Sequence, residues 1–151
     1  MKKALSFLLV LSMLLGMAVL APIGAAAEEE VTVGTVAADY KPEGTAVATA
    51  EEFAAMDPAG KYYLSADITL SETYTTVFTG TFDGNGHTVT ISAPLFQTVN
   101  GTVCNLKIEG AIRIEAGTTI DGNIGAAVAN RACYGGDASF YNIANRATLT
   151  S

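Results

Sequence analysis

The sequence contains no Trp, one His and two Cys in 151 residues, which leaves few parts for metal binding or catalysis. A single His excludes a zinc-protease helix carrying two of them. No Ser lies in a nucleophile-elbow sequence, so a Ser–His–Asp arrangement has atoms but no scaffold motif. Basic residues are also scarce. Lys and Arg number 8 against 15 acidic residues, and two of the 8 are Lys2 and Lys3. Residues 28–151 thus carry 6 basic and 15 acidic side chains, a net charge near −9. That balance argues against nucleic acid, whose phosphates require clustered Lys and Arg, and against docking on anionic lipid. No cofactor or metal motif is present.

What is there begins with an address. The hydrophobic share is 50 %, yet residues 1–27 alone hold 20 apolar residues. Lys2 and Lys3 form a positive start, Ala4 to Leu20 is an apolar run, and Pro22 and Gly24 break helix before Ala25-Ala26-Ala27. This is the tripartite pattern of a secretory signal, with cleavage expected between Ala27 and Glu28 and with small residues at Ala25 and Ala27. A membrane anchor is the other reading of such a run; the helix breakers and the acidic Glu28-Glu29-Glu30 favour cleavage. No Cys follows the run to take a lipid. The expected mature protein is therefore exported and does not insert in the membrane.

Residues 28–48 read as a linker, with a short strand at Val31–Val36. Thr49 and Glu52 fit the S/T-x-x-E capping box of a short helix with Phe53 and Met56 on one face. Asp57-Pro58-Ala59-Gly60 ends it. From Lys61 onward short apolar stretches dominate: Tyr63, Ile68 and Leu70, then Val77–Phe82, then Thr88–Ile91. The 18 Thr of residues 28–151 suit strands, and their 13 Gly and 7 Asn suit turns. Asp83-Gly84-Asn85-Gly86 is either a hairpin turn or the corner of a stacked coil.

Internal repetition favours the corner. Thr102–Leu106 matches Ser139–Ile143 at an offset of 37, and Asp83-Gly84-Asn85 matches Asp121-Gly122-Asn123 at 38. Leu95–Val99 loosely matches Ile124–Val128, after which 129–137 read as an insertion. Repeats of this kind are stacked units, none able to bury its apolar face alone. The expected fold is all-β: a parallel β-helix, or solenoid, over residues 49–151 with a short N-terminal capping helix. Asn105 and Asn142 hold equivalent repeat positions and are expected to form a structural Asn ladder that satisfies turn backbone.

The stretch Phe78-Thr79-Gly80-Thr81-Phe82-Asp83-Gly84-Asn85-Gly86-His87-Thr88-Val89 resembles a coil of bacterial surface proteins. Leu95-Phe96 through Gly101-Thr102-Val103-Cys104-Asn105-Leu106 resembles the GLUG-type repeat that follows it, and Thr49–Leu70, ending in Ala66-Asp67-Ile68-Thr69-Leu70, resembles the usual lead-in. Pro94 and Gln97 stand where the repeat usually has Gly, and Cys104 is unusual beside the Asn. The resemblance implies a right-handed parallel β-helix in large secreted proteins, often Gram-positive, serving as adhesive or spacer modules. Such modules sometimes accompany peptidase or carbohydrate-active domains. No wall-sorting motif lies within the chain.

Possible sites have simpler structural explanations. Asp83-Gly84-Asn85-Gly86-His87 places oxygen donors at alternating positions, as a calcium loop does. The twelfth loop position, Glu in an EF-hand, is Pro94. Gly84 and Gly86 permit positive φ, and Asp83 and Asn85 can bond the local backbone. His87 reads as a surface or turn residue. Cys104 and Cys133 are permitted to pair in an exported chain, or to remain one buried and one exposed thiol. Polysaccharide lyases also use parallel β-helices, and Lys107, Arg113, Arg131 and Arg146 offer bases, but no matching acidic cluster is visible; the comparison is one of fold alone. The function expected is non-enzymatic adhesion or presentation, with host or matrix glycans or proteins as partners. The alternative is an ancillary domain of a larger secreted carbohydrate-active enzyme or peptidase. Ala147–Ser151 is a strand pattern without a cap, so an incomplete repeat domain and self-association through its last coil are expected. Calorimetry with calcium is expected to show no micromolar site; a site that disappears in Asp83→Ala would overturn the structural reading of the turn.

Overall fold

The computed structural model describes residues 32–113, 127–132 and 136–150. Its helix forms where the capping residues place it. Thr49 is extended, and its hydroxyl accepts from the Glu52 amide at 3.2 Å, starting α1 (Ala50–Ala54). The Glu52 carboxylate accepts from the Ala48 amide at 2.7 Å, one residue before the position an ideal capping box uses. Pro58 cannot extend the helix, and the Asp57 side chain takes the Ala59 amide at 2.8 Å to form a turn instead.

The rest is strands: β1 (Thr45–Val47), β2 (Lys61–Leu64), β3 (Ile68–Leu70), β4 (Thr81–Asp83), β5 (Thr88–Ile91), β6 (Phe96–Val99), β7 (Thr102–Arg113), β8 (Ala129–Ala132), β9 (Ser139–Asn145) and β10 (Thr148–Thr150). Among the described residues every pairing is parallel. One ladder stacks β1, β2, β4, the first half of β7, and β9. A second stacks β3, β5 and the second half of β7, on which β10 lies. A third pairs β6 with β8, and Tyr74 and Phe78 bridge to Phe96 and Val99. The chain visits the three ladders in turn and returns to the first, giving an all-β, curled, parallel architecture. β4 and β5 pair with β7 and not with each other, so Asp83–Gly86 is a corner between two ladders and not a hairpin turn.

Three sequence expectations change here. Residues 32–36 hold a turn and not a strand. Residues 32–48, expected as a linker, supply β1 and a segment packed on the strands; its anchors are single polar and Gly residues, which leave no hydrophobic period to read. Finally, Thr102 does stand opposite Ser139, at the offset of 37 found by repetition. Phe96, however, stands opposite Ala129. The match of Leu95–Val99 to Ile124–Val128 was therefore four residues out of register, and Ala129–Ala132 is strand and not insertion. Runs of small Ala, Gly and Val residues align almost equally well at neighbouring offsets. Asp121, Gly122 and Asn123 lie outside the described residues; Asp83 itself stacks on Cys104.

Alternation along each strand sends one set of side chains inward. Ile68, Val89 and Ile108 form one column and Phe82 and Val103 another, all buried. At the end of the stack built by the N-terminal strands the columns are covered by α1. Phe53, 2 % exposed, meets Phe82 at 5.3 Å, Phe96 at 5.5 Å and Tyr74 at 6.0 Å between ring centroids. The Tyr74 hydroxyl donates to the Met56 carbonyl at 2.8 Å, so its polar end is not left unpaired. Phe53→Ala is expected to lower stability by about 3–5 kcal/mol by opening a cavity among these rings. Val77→Ala, at a position 43 % exposed, should change it by less than about 0.5 kcal/mol. Urea unfolding followed by circular dichroism measures both.

Candidate functional site

Where the first ladder turns into the second, the backbone bends sharply in three successive layers. Asn85, Asn105 and Asn142 do this with φ of 49°, 53° and 52°, the left-handed region that Asn tolerates better than other side-chain-bearing residues. The corner of Asp83–Gly86 is closed by backbone. The Gly84 amide donates to the Cys104 carbonyl and the Gly86 amide to the Asn105 carbonyl, each at 2.8 Å. Gly86 has φ +76° as expected. Gly84 does not have positive φ; it is needed because a Cβ there would lie 2.5 Å from the Asn105 carbonyl oxygen. Close approach, not conformational freedom, selects Gly at that position.

The side chains of this corner form one directional chain of hydrogen bonds. The Gly34 amide donates to Asn142 Oδ1, Asn142 Nδ2 to Asn105 Oδ1, and Asn105 Nδ2 to Asp83 Oδ1, at 2.8, 2.8 and 3.0 Å. Asn142 Nδ2 also donates to the Thr35 carbonyl at 2.8 Å. Asp83, 4 % exposed, further accepts from the Asn85 amide at 2.8 Å and from the Tyr40 hydroxyl. The two expected ladder residues, Asn105 and Asn142, are thus in direct contact. Gly34 and Tyr40 join them from the segment read as a linker, and nothing in the sequence pattern signals that.

Asp83, Cys104 and Tyr141 follow one another in register on the outward face of the first ladder. With Tyr40, Lys41, Glu43, Lys61 and Thr81 they line an open groove of about 320 Å³. The Tyr40 phenol is held well above its ordinary range, first because it donates to the Asp83 carboxylate and then because it is desolvated. Tyr141 is pushed up to about 12, first by its hydrogen bond to the Cys104 sulfur. Burial pushes the Cys104 thiol up as well, which makes it a poor nucleophile at neutral pH. Cys104 is a buried free thiol, and Cys133, with which the sequence permitted either a disulfide or a second free thiol, lies outside the described residues. Beside the Lys61–Glu43 ion pair and Lys41, the groove therefore holds two phenols and a thiol whose ionisation is disfavoured, and a carboxylate whose oxygens are already hydrogen-bonded.

The remaining singled-out residues lie elsewhere. His87 Nδ1 is 3.1 Å from Asp67 Oδ1 on the outside of the second ladder. Asp67 also accepts from the Thr88 amide at 2.9 Å. That bond first, and His87 second among the favourable contacts, hold its carboxyl below the usual range. No group of three or more His, Cys, Asp or Glu among the described residues is placed to hold a metal ion. No described helix is long and apolar enough to cross a membrane. Ala25, Ala27 and Glu28 lie outside the described residues. Comparison with family models, curated proteins and solved structures finds no match to the chain. The corner makes a direct expectation: Asn105→Ala removes one of the two bonds to Asp83 Oδ1 and one of the two made by Asn142 Nδ2. It should cost about 1–3 kcal/mol, and a double-mutant cycle with Asn142→Ala should show coupling above about 0.5 kcal/mol. Equal melting temperatures for wild type and Asn105→Ala would remove the ladder from any account of stability.

Proposed function

We propose that the chain is a non-enzymatic, exported module of a bacterial surface protein, built as a right-handed parallel β-helix and used for adhesion or presentation. The observation that carries this reading is the order of the ladders. Successive passages along the chain lay parallel strands or bridges on the same ladders, which supports a stacked column that presents side-chain arrays. Two such arrays face outward. Lys61, Thr81, Thr102 and Ser139 stand in register on the first ladder, and Thr69, Thr90 and Glu109 on the second. Hydroxyls in rows at strand spacing suit polar contacts with glycans or with protein backbone. The acidic balance, and a groove in which Asp83 is bonded to Tyr40 and Lys61 to Glu43, support binding over catalysis. The resemblance to GLUG-type surface proteins supports the same assignment and the exported location.

The test is a screen of the purified protein against immobilised glycans and matrix proteins, run beside assays of polysaccharide and peptide cleavage. Saturable retention of a ligand is expected, weakened when Thr69→Ala and Thr90→Ala are combined, with no product released from any substrate. Cleavage activity that follows the protein through purification would overturn the reading in favour of an enzyme.

A further inference from the structure

The N-terminal segment lies along the outer corner against the direction of stacking. Gly34 is beside the last layer, hydrogen-bonded to Asn142 across 108 positions of sequence. Val36 lies against Gly86, Tyr40 reaches Asp83, and Glu43 pairs with Lys61 at 3.0 Å just before β1 begins. Residues 32–43 therefore tie the last layer to the first. They do so with almost no buried surface of their own: Gly34 is the one buried residue in the stretch, while Val33 and Tyr40 are 55 % and 40 % exposed. Two internal turns shape it, closed by Thr35 to Thr32 and Tyr40 to Ala37 backbone bonds at 3.0 Å each. A segment held by polar contacts and the half-buried Val36, with no fully buried apolar side chain, opens more readily than the ladders beneath it.

The surface it covers has the properties of a recognition seat. The Asn142 amide grips the segment's backbone from both sides, accepting from Gly34 and donating to the Thr35 carbonyl. The space over Leu106, Lys107 and Ala144 admits only Gly at the first turn. A Cβ on Gly34 would lie 2.9 Å from the Leu106 carbonyl oxygen, and φ there is +85°. Asp83 and Asn105 then receive the Tyr40 hydroxyl, which donates to one and accepts from the other. One turn, one Gly and one phenol are read at fixed separation.

We propose that residues 32–43 are an exchangeable strap, and that the corner beneath them is a docking seat for the same strap of a second copy of this chain. The occupant is identified by the seat itself, which is filled in cis by that segment and is complementary to it at Gly34, Thr35 and Tyr40. Exchange between copies replaces each cis contact with an identical one in trans, so it needs no new interface chemistry. It is separable from the adhesion reading: of the two outward arrays only Lys61 meets the strap, through Glu43, and Thr69 and Thr90 lie on the other ladder.

The test uses the full chain with Gly34→Val, which bars its own strap from the seat, and a fluorescent peptide of residues 32–43 with the natural sequence. Saturable binding of the peptide to Gly34→Val is expected. It should be on the order of tenfold weaker on wild type, whose seat is filled, and lost when Asn142→Ala is added. A folded Gly34→Val that does not bind the peptide overturns the proposal. Hydrogen exchange on the wild type keeps the test decisive if that variant fails to fold. The Gly34 amide must exchange at least about tenfold faster than the Ile108 amide in β7; equal rates would show that the strap opens only with the whole fold and would overturn the proposal equally.

Discussion

The corner depends on one constraint: the carboxylate of Asp83 is buried and, among the described residues, makes no ion pair. A buried charge without partners costs several kcal/mol, so its surroundings must supply donors. They come from three parts of the chain: the Asn85 amide two residues on, the Asn105 side chain one layer up, and the Tyr40 hydroxyl from the strap. Because Asn105 gives its N–H to Asp83, its carbonyl is free to accept from Asn142, and Asn142 in turn accepts from Gly34. Each bond polarises the next in the same sense, which strengthens the series. The negative charge at one layer thus orients amides two layers away and draws the N-terminal segment onto the surface.

Asn answers two demands at once in this setting. The backbone must adopt positive φ to turn from one ladder to the next, and the side chain must span to the neighbouring layer. Gly meets the first and has no side chain for the second; Gln has the amide but a poorer tolerance of the left-handed region. Asn105 and Asn142 therefore recur at the same corner for a physical reason that acts on each layer separately. Asn85 has the same φ, but its amide donates to the Leu64 carbonyl at 3.1 Å in the layer below, where no Asn is available to receive it.

Much of this was legible in the sequence, though unevenly. The capping box at Thr49, the corner at Asp83–Gly86 and the equivalence of Asn105 with Asn142 all follow from residue types with strong local preferences, and local preferences are what a sequence displays. The 37-residue offset worked because Thr102–Leu106 and Ser139–Ile143 each carry an Asn between apolar residues, a pattern with one good alignment. Ile124–Val128 has no such marker, and its register was misjudged by four. The strap was invisible for a different reason. Its contacts with the corner span 43 to 108 positions and rest on Gly34, Tyr40 and Asn142 individually, so no short window along the chain contains both partners. The same holds for the pairing of His87 with Asp67 and for the proximity of Tyr141 to Cys104, each created by stacking one layer on another.

The interior and the corner also divide the work of specifying this arrangement. Ile68, Val89 and Ile108 are apolar side chains of similar bulk, Phe82 and Val103 are apolar as well, and burial rewards them without regard to direction. A strand displaced by two residues along its ladder would still send apolar groups inward, so the columns by themselves define register weakly. The corner does not share this tolerance. Displacing β9 by two residues would take Asn142 away from Asn105, leave an unpaired amide at each layer, and force a side chain other than Asn into positive φ. The polar chain from Asp83 to Gly34 therefore selects the one register in which the apolar columns, the left-handed bends and the strap are satisfied together.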